Sequence, residues 1–210
     1  MSKFDFHFGA PVRCRDGRLI GTLERLIVEK EGLDPHSIVV REDDGFSGRR
    51  LAPGAWYFHD EVIVPLRSVA SADRHAVELA LGAPDARRLM PYLDYHYQPL
   101  DRPAVVRMYV AVGTGGPYAP NLVETANKRD DELEVSAGEN VMLGHKGHEF
   151  GHVQDVLIED GEFIGVVVRP SRLFAKDVLV PVRFLERSDD MALFVDLTEA
   201  DIHKLRPPDS

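Results

Sequence analysis

His148-Glu-Phe-Gly-His152 spells H-E-x-x-H, the spacing with which two histidines one helical turn apart hold Zn²⁺ while the glutamate between them acts as a base. That chemistry needs a helix, where positions i and i+4 lie on one face. On a strand the two imidazoles stand about 13 Å apart at ~3.3 Å per residue, too far to chelate one ion. The surroundings read as turn and strand: Gly147 and Gly151 bracket the motif, and Val153, Val156 and Ile158 follow it. A metzincin continuation is missing, since Asp155 and Ile158 stand where its Gly and His belong. The match therefore reads as a coincidence on a polar hairpin. A hairpin would also carry His145 across from His152, which makes His145, His148 and His152 the metal candidates, with no acidic or cysteine ligand locked beside them.

Other chemical signals fade in the same way. Gly113-Thr-Gly-Gly-Pro-Tyr118 follows the strand-like run 105–112, but Pro117 and Pro120 forbid the helix N-terminus that a phosphate cradle needs. Cys14 sits among alternating apolar residues and reads as a small core residue. No local Ser/His/Asp set marks a nucleophile, and nothing calls for a cofactor. Binding is what remains. Phe46, Arg49, Arg50, Trp56 and Tyr57 crowd one segment, and Tyr95 and Tyr97 follow in another. Aromatic and arginine side chains dominate interface hot spots, so these are the partner-binding candidates; the competing expectation is that several of the rings complete the core.

The elements that would position these residues come in two rounds. Phe4, Phe6 and Phe8 alternate with polar residues before Gly9, as Leu133, Val135 and Ala137 do before Gly138. The turn Asp16-Gly-Arg-Leu-Ile-Gly21 matches Lys146-Gly-His-Glu-Phe-Gly151, with Gly17 and Gly147 supplying positive φ and Gly21 and Gly151 a kink. Leu23-Glu-Arg-Leu-Ile-Val28 and Val153-Gln-Asp-Val-Leu-Ile158 slip from strict alternation at one shared place, which predicts a β-bulge. Glu159-Asp-Gly-Glu162 reads as a tight hairpin turn. Val62-Ile-Val-Pro-Leu-Arg67 matches Val178-Leu-Val-Pro-Val-Arg183 at an offset of 116, and Asp85, Leu89 and Pro91 match Asp201, Leu205 and Pro207 at the same offset. Thr198 with Asp201 forms a capping signature, and Pro84 suits a first helical turn. The expected units are 3–91 and 132–207, joined by a Pro/Gly/Tyr-containing linker at 92–131. Each is small, so packing between them is expected to add stability.

Composition narrows the function classes. The chain has 210 residues, 44% of them hydrophobic and 29% charged, as in an ordinary globular protein. No apolar run approaches the ~18 residues of a membrane span, no export signal opens the chain, and the single cysteine suits a reducing cytoplasm. The net charge of −10 is concentrated late: residues 138–210 carry 8 basic and 14 acidic groups. Phosphate neutralisation drives nucleic-acid affinity, so direct nucleic-acid binding is disfavoured and a basic protein partner favoured.

A Gly-x-x-Ile/Phe-Gly turn, a strand with a slipped pattern, a Val-Val strand and a Val-Pro strand, in this order and twice over, resemble the PRC-barrel family. The resemblance covers both units. It implies an all-β, mainly β fold of two tandem small barrels, each ending in a short helix, used for protein contacts without a shared active site. The family also occurs in a photosynthetic reaction-centre subunit and in ribosome-maturation factors. This chain has neither the transmembrane helix of the former nor the distinct N-terminal barrel of the latter. Fold alone does not transfer function. The leading reading is thus a non-enzymatic, cytoplasmic interaction or scaffolding module that binds a protein partner or a second copy of itself as a homodimer. The alternatives are a ribosome-maturation or RNA-linked factor acting through a protein, and a metal-dependent hydrolase built on 148–152.

Overall fold

The structure is a computed structural model that describes residues 4–47, 61–98, 121–127, 129, 131–144, 147–159, 162–171, 176–189 and 191–208. It is mainly β. The first stretch holds β1 (Pro11–Arg13), β2 (Leu19–Glu29), β3 (Pro35–Glu42), β4 (Glu61–Pro65), β5 (Val69–Ala72), β6 (Val77–Leu79) and β7 (Met90–Pro91). A hairpin of β8 (Leu93–Gln98) and β9 (Asn121–Ala126) follows. Then come β10 (Glu132–Ser136), β11 (Asn140–Leu143), β12 (His148–Glu159), β13 (Glu162–Pro170), β14 (Val178–Pro181), β15 (Leu185–Ser188) and β16 (Ala192–Val195). Short helices lie at Ala83–Ala86 and Glu199–Ile202; Pro84 opens the first, and a reciprocal Thr198–Asp201 capping box opens the second.

The strand order is β5-β6-β1-β2-β3-β4-β7 in the first sheet and β15-β16-β11-β12-β13-β14 in the second, the same path twice. In both, one pair is parallel, β1 with β6 and β11 with β16. The slipped apolar pattern is a bulge in both, between Leu23 and Arg25 against β3 and between Val153 and Asp155 against β13. Even the closing contacts agree: Ile63 faces Met90 in one sheet and Leu179 faces Arg206 in the other. The main difference in length lies between β3 and β4. Arg41 and Arg169 are offset by 128 but Val62 and Val178 by 116, so this connection has 12 extra residues in the first half.

Gly17 and Gly147 adopt φ of 77° and 66°, as their turns require. Gly21 and Gly151 have a different reason to be glycine. They lie in extended strand where the neighbouring strand crosses closely. A Cβ on Gly21 would meet the Arg41 carbonyl oxygen at 1.8 Å, and one on Gly151 the Arg169 carbonyl oxygen at 2.2 Å. The clash is with backbone, which cannot swing aside. Gly151→Val is therefore expected to destabilise by about 1–3 kcal/mol. Chemical denaturation checks this, and an unchanged midpoint would disprove the close approach.

Two departures from the sequence reading matter. The segment 92–131 is more than a connection: it contributes the β8–β9 ribbon, and Tyr92 at its start is buried with Ile27 and Val39 on the outer side of the first sheet. In addition, the unit beginning at 132 does not keep to its own sheet. β10 pairs antiparallel with β2, from Glu132 opposite Glu29 to Ser136 opposite Arg25. In the other direction the contact runs through one side chain: the Phe8 N–H donates to Asp155 Oδ1 at 3.0 Å and His7 Nδ1 lies 2.5 Å from Asp155 Oδ2, while residues 5–7 form no strand and Phe4 bridges to Ala72 of the first sheet. Arg25 and Asp155 occupy the same position after the same bulge, Arg25 binding β10 and Asp155 binding the segment at His7 and Phe8. One continuous core results, running from Phe6, Leu26 and Val28 through Leu133 and Val135 to Val153 and Val195.

Candidate functional site

The most unusual chemistry among the described residues lies where the two sheets and the ribbon meet. The bulge in β2 turns Arg25 toward β4 and β10. Its Nε and Nη2 donate to the two oxygens of Glu61 at 3.2 Å each, a bidentate pairing, and its Nη1 donates to Glu134 at 2.7 Å and to the Ser136 hydroxyl at 3.1 Å. Glu61 and Glu134 are both 7% exposed. The Tyr92 hydroxyl donates to the other Glu134 oxygen, and the Arg25 guanidinium lies 5.1 Å from the Tyr92 ring centre. Burial opposes the charge on Arg25, but hydrogen bonds and attraction from Glu61 and Glu134 outweigh it and raise the guanidinium pKa. Burial, reinforced by Glu134, pushes the Tyr92 phenol well above its ordinary range, so it remains a donor.

Above this network opens a cleft of about 530 Å³ between β10 and the ribbon base, walled by Leu93, Ala126, Glu139, Asn140 and Met191. Its floor is a closed set of hydrogen bonds with no nucleophile beside a base. The network therefore positions: it clamps β4, β10 and the start of the ribbon onto β2. None of Arg25, Glu61 and Glu134 stood out in the sequence. The signal that pointed toward Arg25 was the alternation slip beside it, and nothing local named its carboxylate partners.

The sequence-derived candidates scatter. His148 and His152 stand on β12, in extended strand, where they cannot form the helical pair of a zincin. Glu149 accepts a hydrogen bond from the Ser171 hydroxyl and lies 3.6 Å from His152 Nε2. His145 lies outside the described residues. Among the described residues no group of three or more His, Cys, Asp or Glu side chains is arranged to hold a metal ion, and no helix is long and apolar enough to cross a membrane. Cys14 is fully buried, and that burial raises its thiol pKa.

Phe46 requires a correction. At 2% exposure it is part of the core, not a surface anchor, because a short turn at Asp44–Ser47 folds it under the sheet between the guanidinium groups of Arg18 and Arg87, 5.7 and 5.4 Å from its ring centre. Arg49, Arg50, Trp56 and Tyr57 lie outside the described residues. Tyr95 and Tyr97 lie on β8.

The described residues that flank the two candidate segments, Glu61 and Tyr92, meet at one place. The connection carrying Arg49, Arg50, Trp56 and Tyr57 re-enters at Glu61, whose carbonyl accepts the Tyr92 N–H at 2.7 Å, and Tyr92 leads directly into β8. β4 and β7 pair beside this point. A scan against protein-family models finds no match for this chain, and a search of curated proteins finds none either.

Proposed function

We propose that the chain is a tandem PRC-barrel-type module, working in the cytoplasm, that binds another protein or a second copy of itself without performing catalysis. The duplicated strand path, with matching bulges and matching parallel pairs, supports the tandem-barrel reading. The observation that carries the interaction reading is the junction at Glu61 and Tyr92, where the aromatic and arginine-bearing connection and the tyrosine-bearing ribbon leave the first sheet from one edge. The contact face is assigned to Trp56, Tyr57, Arg49, Arg50, Tyr95 and Tyr97. The Arg25 clamp holds the base of that face in a single arrangement, which limits the entropy lost on binding.

Photo-crosslinkable residues placed singly at 56 and at 95 in the full chain test this. Both positions are expected to crosslink to one and the same protein species, a partner or another copy. Trp56→Ala with Tyr57→Ala is expected to weaken that complex by ~2 kcal/mol or more while the circular dichroism spectrum stays unchanged. Crosslinks to different species from the two positions would refute the shared face.

A further inference from the structure

Arg183, Lys204 and Arg206 line one cleft of about 350 Å³ at the edge of the second sheet. Their company is unusual for this half of the molecule, which is strongly acidic. There, Arg169 is held by Asp177 at 2.8 Å and Arg187 by Asp189 at 3.2 Å. Arg183, Lys204 and Arg206 have no ion pair within 4.0 Å among the described residues. Three cations lining one cleft against a single carboxylate, Asp201, are a net repulsive arrangement. Their backbones hold them there: Arg183 in the turn Val182–Phe184, Lys204 through its N–H to Asp201, and Arg206 through its carbonyl, which accepts from the Leu179 N–H at 2.8 Å.

The rest of the lining selects the ligand. Asp201 is the one carboxylate of the cleft, and it is turned to the helix cap, taking the Thr198 hydroxyl and N–H. Those hydrogen bonds from Thr198, with smaller attraction from Lys204 and Arg183, hold it below the usual carboxylate range. Three cations against one anion leave an excess of about two positive charges, which a phosphate monoester near −2 matches and a carboxylate does not. Beside the cations the cleft is apolar, with Phe184 and Leu205, and Arg183 lies 4.6 Å from the Phe184 ring centre. The first half shows the same position without this equipment. Ser68 stands in place of Phe184, Met90 in place of Arg206, and Arg88, in place of Lys204, has Asp85 within 3.9 Å.

We propose that this cleft binds a small phosphate monoester with an aromatic or apolar body, the phosphoryl group held by Arg183, Lys204 and Arg206 and the body resting on Phe184. This assignment does not rest on the protein-binding reading. The test is titration of the full chain with phenyl phosphate, inorganic phosphate and phenol, followed by backbone amide shifts and calorimetry. Phenyl phosphate is expected to bind saturably, shifting amides at 179–184 and 203–206, with inorganic phosphate weaker and phenol showing no saturation. Lys204→Gln with Arg206→Gln is expected to weaken phenyl phosphate at least 10-fold. Phe184→Ala is expected to weaken phenyl phosphate alone, leaving inorganic phosphate as before. Arg67→Gln, at the matching place in the first half, serves as the control and changes neither. Absence of saturable binding, shifts spread over basic residues generally, or affinity unchanged in the double variant would each overturn the assignment.

Discussion

Arg25→Leu is expected to destabilise the protein by about 3–5 kcal/mol at neutral pH, the penalty for leaving buried charge without its partner. Two nearly buried carboxylates, Glu61 and Glu134, both pair with this guanidinium. Replacing Arg25, Glu61 and Glu134 together by leucine is expected to recover much of the stability, since the apolar set carries no desolvation penalty. Urea denaturation of the variants at pH 7 measures this. A loss under 1 kcal/mol for Arg25→Leu at pH 7 would show that the clamp has no structural weight. Tyr92 reports on the alkaline range. Its folded pKa is raised, so the stability it contributes is complete below about pH 10, the unfolded value, and is lost as pH climbs beyond it. The alkaline loss of stability is accordingly expected to be shallower in Tyr92→Phe.

The pairing of β10 with the first sheet leads to the second large effect. When a protease site is placed within 99–120 and the folded chain is cut there, the two pieces are expected to stay together in gel filtration and to melt in one transition. The apolar residues that β10 carries across, Leu133 and Val135, are buried in the shared core, and each contributes about 1.5–3 kcal/mol. Five residue pairs of β10 with β2 and the His7–Asp155 contact add to that. Separation of the pieces without denaturant, or two distinct melting transitions, would mean that the halves are independent and that the pairing contributes little.

Along each strand the physics is local, and there the sequence was a sufficient guide. Alternation located β2 and β12, the slip beside Arg25 and Asp155 marked their bulges, and Thr198 with Asp201 marked a helix start. These features depend on pleat, backbone torsion and orphan N–H groups within a few residues, so residue order alone encodes them. The strand setting of His148 and His152 belongs here too, since the repeat alone places them on a turn and strand.

Other features depended on which surfaces meet. Phe46 has the chemistry of an interface anchor and the location of a core residue, because a turn no motif announces folds it beneath Arg18 and Arg87. Leu133 and Val135 announced an apolar face, but alternation does not say which sheet that face covers, and the answer was the sheet of the other half. Arg25 read as a polar residue on a strand until β4 and β10 brought Glu61 and Glu134 to it from 36 and 109 residues away. The sequence by itself determined strands β2 and β12, their bulges and the two-fold repetition of the pattern, but not the β8–β9 ribbon. Only the tertiary structure decided the pairing of β10 with β2, the buried charge clamp and the basic cleft, because burial and Coulomb attraction act between whatever surfaces folding brings together, regardless of their separation along the chain.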